Sequence, residues 1–173
     1  MLMMVVVVGL RPIKHLQLKA IILGMRGAEE SVPDKKMTGI KYKGACVCGQ
    51  TNYKACDLED VSYCHCEQCR KMTGHYMAAC QVKRDKIKIH GKIKWFYTHP
   101  GSRHGFCDNC GAHMFWQNDN KPTISVTAGS LEDTKDLGVW HHIFAEEKGC
   151  YYEINPNELQ SEGYGDSNIQ EGA

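Results

Sequence analysis

The sequence predicts a mostly β protein of short antiparallel strands, and three observations predict it. Polar and apolar residues alternate with a period of two in short runs, most clearly in Lys86–His90 and Lys92–Tyr97. Turn-forming groups punctuate the runs, among them Thr98-His-Pro-Gly-Ser102 and Asn118-Asp-Asn-Lys-Pro122. No helical periodicity extends past about two turns.

The elements follow in chain order. Residues 1–36 read as a poorly ordered N-terminal extension. Met1–Leu10 is nearly all apolar, yet a bilayer needs about 20 such residues. Arg11 and Lys14 follow the apolar run, whereas an export signal carries its positive charge before it. Met37 is expected to be the natural start of the working domain, residues 37–155, because strand-like, motif-bearing sequence begins immediately after it. Within it, Ile40–Ala45 and Gln50–Ala55 read as a strand and its hairpin return. Tyr76–Val82 reads as a buried strand, and Lys86–His90 with Lys92–Tyr97 as a hairpin turning at Gly91. Met114–Gln117 and Thr123–Ala128 are two more strands, Leu131–Leu137 a short helical turn, and His141–Glu146 and Tyr151–Ile154 the last strands. Residues 156–173 are polar and Gly-rich without periodicity, which predicts a disordered tail.

A chain of 173 residues suits one domain with a proper core. Its formal net charge of +1 supplies no field to recruit nucleic acid or an anionic membrane. Lys83–Lys94 does hold six basic residues ahead of Trp95-Phe96-Tyr97. They alternate with Ile87, Ile89 and Ile93, as on the solvated face of a half-buried hairpin, so a nucleic-acid partner is not expected.

Seven of the ten cysteines fall into three clusters: Cys46-Val-Cys48, Cys64-His-Cys66-Glu-Gln-Cys69 and Cys107-Asp-Asn-Cys110-Gly111. Such close spacing suits a shared metal better than a disulfide framework, and implies a reducing, cytoplasmic setting. In a strand, side chains at i and i+2 share a face, so a C-x-C can offer both sulfurs to one ion. A C-x-x-C ending in Gly makes a tight turn around another. Seven thiolates amount to one complete four-ligand zinc site and one with an open position. Spacing favours Cys46, Cys48, Cys107 and Cys110 as the closed set, because Cys64, Cys66 and Cys69 lie within six residues and close locally. The alternative grouping completes the middle cluster with His65, His75 or His113.

A three-thiolate site blunts the Lewis acidity of its ion and favours a soft fourth ligand, above all another thiol. Arg70 and Lys71 follow the cluster and could offset its negative charge or hold a carboxylate of that thiol, while His75 and His113 could line the open position. His65 projects away from the metal if the segment is extended. Cys80 reads as a small buried hydrophobe, Cys56 and Cys150 have no assigned role, and Met114-Phe115-Trp116 reads as core.

The three motifs, in the order Gly44-Ala-Cys46-Val-Cys48-Gly49, Cys64-His-Cys66-Glu-Gln-Cys69-Arg-Lys-Met-Thr-Gly74 and Arg103-His-Gly-Phe-Cys107-Asp-Asn-Cys110-Gly111, resemble the glutathione-dependent formaldehyde-activating enzymes and their centromere protein V relatives. Ala128-Gly-Ser-Leu131-Glu-Asp133 and His142-Ile-Phe144 extend the resemblance, which runs from about Gly39 to Ile154. It implies a zinc-containing β-tent fold with two Zn2+ per chain. It places a structural zinc on Cys46, Cys48, Cys107 and Cys110, and the active-centre zinc on Cys64, Cys66 and Cys69. It also implies carbon–sulfur lyase chemistry: glutathione as co-substrate, adding to formaldehyde to give S-hydroxymethylglutathione, or the reverse. The expected partners are a small thiol and an aldehyde, with no membrane. The competing reading is a non-catalytic zinc module that binds a protein or nucleic acid. Nothing in the sequence states the oligomeric state.

Overall fold

The structure is a computed structural model that describes residues 38–164. The N-terminal extension, Met37 and the last part of the expected tail lie outside the described residues. In chain order the strands are β1 (Lys41–Ala45), β2 (Asn52–Cys56) and β3 (Val61–Cys64), followed by a helix, α1 (Glu67–Thr73). Next come β4 (Met77–Lys83), β5 (Ile87–His90), β6 (Ile93–His99) and β7 (Ser102–Cys107). The last three are β8 (His113–Asn118), β9 (Thr123–Thr127) and β10 (Val139–Ile143).

These strands form two sheets. One is three-stranded in the order β1-β2-β5, and the other is seven-stranded in the order β10-β3-β4-β9-β8-β7-β6. Every pairing is antiparallel except that of β10 with β3. The alternation read from the sequence decides which face is dry. Tyr53 and Ala55 of the small sheet share one cluster with Cys80, Val82, Phe115, Ile124 and Val126 of the large sheet, and Ile87, Ile89 and Trp95 pack against it. Tyr53 meets Phe115 edge-on, with ring centroids 5.7 Å apart. Cys80 is fully buried there, as its apolar strand predicts.

The expected hairpin of Lys86–His90 and Lys92–Tyr97 does not form. β5 pairs with β2 and β6 pairs with β7, so the two runs belong to different sheets. Their alternation was real, but alternation reports a half-buried face and says nothing of the partner. Gly91 is where the chain crosses between the sheets. A Cβ at Gly91 would stand 2.1 Å from the Gln50 carbonyl oxygen, and its φ is +95°, so only glycine fits that crossing.

Four further expectations are corrected. Leu131–Leu137 is turns and irregular chain, without a helix, and Tyr151–Ile154 is not a strand. The loop expected over Thr98–Ser102 is a short turn, because β6 runs on to His99 and β7 begins at Ser102. The tail expected over 156–173 is described as far as Tyr164, and its first part lies along β10. His142 N donates to Leu159 O at 2.8 Å, and Ser161 N donates to His142 O at 2.9 Å. This backbone pairing covers an edge that would otherwise be open, a gain that composition alone does not reveal.

Candidate metal centre and cleft

The outer cysteines converge through two similar turns. After β1, Gly49 N donates to Cys46 O at 2.9 Å; after β7, Gly111 N donates to Cys107 O at 2.9 Å. Gly49 and Gly111 both have φ +73°, which closes each loop around its sulfurs. Cys46 Sγ lies 3.4 Å from Cys48 Sγ, and Cys48 Sγ lies 3.8 Å from Cys107 Sγ. With Cys110 the four sulfurs all stand within 4.8 Å of one another. Cys46 Sγ also accepts from Thr51 N at 3.2 Å. The Cys107 thiol is held down at about 6, chiefly by the Cys110 backbone N–H. Four soft donors at this spacing fit a tetrahedral zinc ion.

The middle cluster is built by the junction of a strand and a helix. Cys64 ends β3, Cys66 occupies the N-cap position of α1, and Cys69 lies in its first turn. Cys66 Sγ accepts from Cys69 N at 3.4 Å, and Cys64 Sγ lies 3.5 Å from Cys66 Sγ. All three sulfurs stand within 4.8 Å of one another. Hydrogen bonds from Cys64, then Cys69, push the Cys66 thiol down to about 2. The hydrogen bond with Cys66 leads in pushing Cys64 up to about 12, and the one with Cys64 leads in pushing Cys69 up. A bound cation would let all three ionise, and soft thiolates suit zinc.

His65, between two cysteines of the cluster, faces away from it. It is fully buried, with Nδ1 2.7 Å from Tyr152 Oη and Nε2 2.9 Å from His142 Nδ1. His142 Nε2 lies 2.8 Å from Glu158 Oε2, poorly aligned for a hydrogen bond. Burial, then the neighbouring His142, pushes His65 down to about 4. This buried chain of rings anchors the Cys64–Cys66 segment from behind. A sequence spacing could not have revealed it, since Tyr152 stands 87 positions from His65.

All three cysteines of the middle cluster line a cleft of about 990 Å3 on the face of the large sheet turned away from the small one. Its floor is the alternate residues Ser62, Met77, Ala79, Gln81, Ser125 and Trp116, and its rim includes Phe96, Trp140, Phe144, Glu147 and Tyr164. The outer four-cysteine set does not line it. Trp116, read from sequence as core beside Met114 and Phe115, belongs to this cleft. A register shift between β7 and β8 opposite Gly105 and Phe106 inserts an extra residue at Met114. Met114 and Phe115 then both turn into the core while Trp116 turns out.

The structure does not bring Arg70, His75 or His113 into the cleft. Arg70 Nε donates to His65 O at 3.2 Å, and His75 Nδ1 lies 3.1 Å from Tyr151 Oη. His113 Nε2 lies 2.9 Å from His104 Nδ1, whose Nε2 accepts from Gln68 Nε2 at 2.8 Å. Lys71, expected beside Arg70, does line the cleft, and so does Gln68 from the same helix. Glu147 Oε2 accepts from Glu67 N at 2.9 Å beside Cys66. Helical spacing is the signal that finds Gln68, which sequence reasoning missed: positions 68 and 71 are three apart and share a face.

His104 is fully buried under α1. Burial, then His113, pushes it from the usual 6.5 down to about 4. The unfolded chain takes up this proton more readily, so the stability that neutral His104 contributes is present above pH 6.5 and lost as pH falls toward 4. About 2 kcal/mol should be gone by roughly pH 5. Urea unfolding of the wild-type and His104→Gln chains at neutral and mildly acid pH checks this, because the variant should lack that part of the pH dependence.

A mostly β domain with two cysteine clusters able to hold metal ions, one opening on a cleft, defines a class of thiol-ligating proteins. The sequence model of the glutathione-dependent formaldehyde-activating enzymes matches residues 41–147, and the chain belongs to that family. No curated protein matches it. Among solved structures it is similar to the crystal structure of a Rhodobacter sphaeroides protein. The identity is 20% and the TM-score 0.46, over 68% of this chain and 97% of that one, a likeness too loose to carry an argument.

Proposed function

We propose that the chain is a zinc-dependent carbon–sulfur lyase that joins a small thiol, such as glutathione, to an aldehyde, or separates them. One observation carries the reading: of two cysteine clusters, only the one with three sulfurs opens on the cleft. Family membership supports a glutathione-dependent aldehyde-activating role in general. Cys64, Cys66 and Cys69 would hold one ion, and Cys46, Cys48, Cys107 and Cys110 a second. When bound at the three-sulfur site, zinc supplies a cationic centre that favours a thiolate over a thiol. The remaining work falls to the chain's own residues. The cleft sets polar side chains such as Glu67, Gln68, Lys71 and Glu147 beside apolar ones such as Met77 and Trp116, so it can hold both the polar and the apolar parts of a ligand. Gln68, fixed by bonds to His104 at 2.8 Å and Thr98 at 2.9 Å, holds α1 against the sheet and so keeps Cys69 in place. A pool of free thiols at both clusters requires a reducing compartment, and we assign the chain to the cytoplasm.

The test is metal stoichiometry and a spectrum. Protein purified under reductant should carry two zinc ions, one of them readily chelated and shielded by glutathione. The absorption of the cobalt-substituted chain should change when glutathione is added. One ion per chain with no spectral response would overturn the reading in favour of a closed, non-catalytic module. Among the described residues no helix is long and apolar enough to cross a membrane.

A further inference from the structure

The cleft must seat the thiol as well as the aldehyde, and it leaves room for an aldehyde larger than one carbon. Its volume of about 990 Å3 stands at the top of the range for small-molecule sites, roughly 300–1,000 Å3. Among its polar lining residues runs an apolar stretch of wall that packs against Cys64 and Cys69: Met77, Ala79, Trp116, Ile143 and Phe144.

Two backbone irregularities aim aromatic rings along this wall. The β8 bulge turns Trp116 into the cleft. Phe144 adopts φ +55° and ψ +43°, a left-handed conformation that a bulky side chain rarely takes. It is held there by Phe144 N donating to Gly163 O at 3.2 Å and Phe144 O accepting from Glu147 N at 3.1 Å. Its ring meets Tyr164 edge-on, with centroids 4.9 Å apart and planes at 81°, and both rings line the cleft. Backbone strain of this kind persists where surrounding structure enforces it, and it clusters at ligand clamps. Formaldehyde has no apolar substituent to cover such a wall.

We propose that the aldehyde substrate carries an aryl or medium-chain alkyl group, seated against Met77, Trp116 and Phe144 with its carbonyl at the cysteine end. This rests on the thiol–aldehyde reading above and names its substrate class. In the forward step the thiol sulfur attacks the carbonyl carbon and a C–S bond forms. The C=O π pair moves to oxygen, and oxygen takes up the proton the thiol gives up. No oxidant or reductant is consumed. Each buried methylene should favour binding by roughly fourfold.

The zinc-loaded full chain is assayed with glutathione by NMR exchange spectroscopy, comparing phenylacetaldehyde with formaldehyde. Acceleration over the uncatalysed exchange should be at least about tenfold greater for phenylacetaldehyde, and Trp116→Ala should erase that preference. Equal or greater acceleration with formaldehyde overturns this inference and leaves the thiol–aldehyde reading standing. No acceleration with either aldehyde overturns both. A variant-free measurement covers misfolding of Trp116→Ala: titrating the wild-type chain with 2-phenylethanol should shift the Met77 methyl and Trp116 indole signals, while methanol should not. Absence of those shifts overturns the seating.

Discussion

Replacing Cys107 by alanine should leave a chain that no longer folds cooperatively. Cys107 is 2% exposed, ends β7, and places its sulfur 3.8 Å from Cys48 across 59 positions of sequence. The four-sulfur cluster therefore ties the end of the small sheet's first strand to the far side of the large sheet. A structural zinc contributes about 10–16 kcal/mol of folding energy in small metal-dependent domains. A domain's whole net stability is about 5–15 kcal/mol. Losing one ligand of four thus removes an amount comparable to the entire margin. Thermal unfolding followed by circular dichroism, with zinc content measured beside it, is the check. A Cys107→Ala chain that melts sharply and keeps two ions would show the cluster to be dispensable.

Cys66→Ser should have the opposite profile, an intact fold with no turnover. The sulfur of Cys66 has two tasks, as a candidate metal ligand and as the cap that accepts from Cys69 N at 3.4 Å. A serine hydroxyl is a favoured N-cap, so α1 keeps its start while the soft ligand disappears. Thiol–aldehyde exchange should fall at least about 100-fold, equivalent to about 3 kcal/mol of barrier. One of the two ions should be lost and the unfolding transition retained. Exchange at the wild-type rate in this variant would be incompatible with catalysis at the middle cluster.

Much of this molecule could be read from its sequence. The mostly β class followed from alternation, and β1 with β2 formed the hairpin their pattern implied. The two sulfur groupings that spacing favoured are the two the fold brings within reach. Sheet membership was hidden, because β5 and β6 carry the same alternation yet pair with β2 and β7. Trp116 was hidden by a bulge, which reverses the facing of every residue after it. Arg70, His75 and His113 are near the cysteines in sequence but have other hydrogen-bond partners. Proximity along the chain fixes where a backbone lies, whereas a side chain's direction depends on contacts made across the fold. The ring chain from Tyr152 through His65 to His142 arises entirely from such contacts.

The 59 positions between Cys48 and Cys107 also bear on how the protein is born. At about 5–20 residues per second, a ribosome needs roughly 3–12 s to travel from one to the other. Throughout that interval Cys46 and Cys48 have emerged, or are emerging, without the partners that complete their set. Cys64, Cys66 and Cys69 are synthesised together inside the same interval. The nascent chain can thus fill its open cluster first and its closed one last, with the early pair free to be captured by the wrong ion or the wrong thiol.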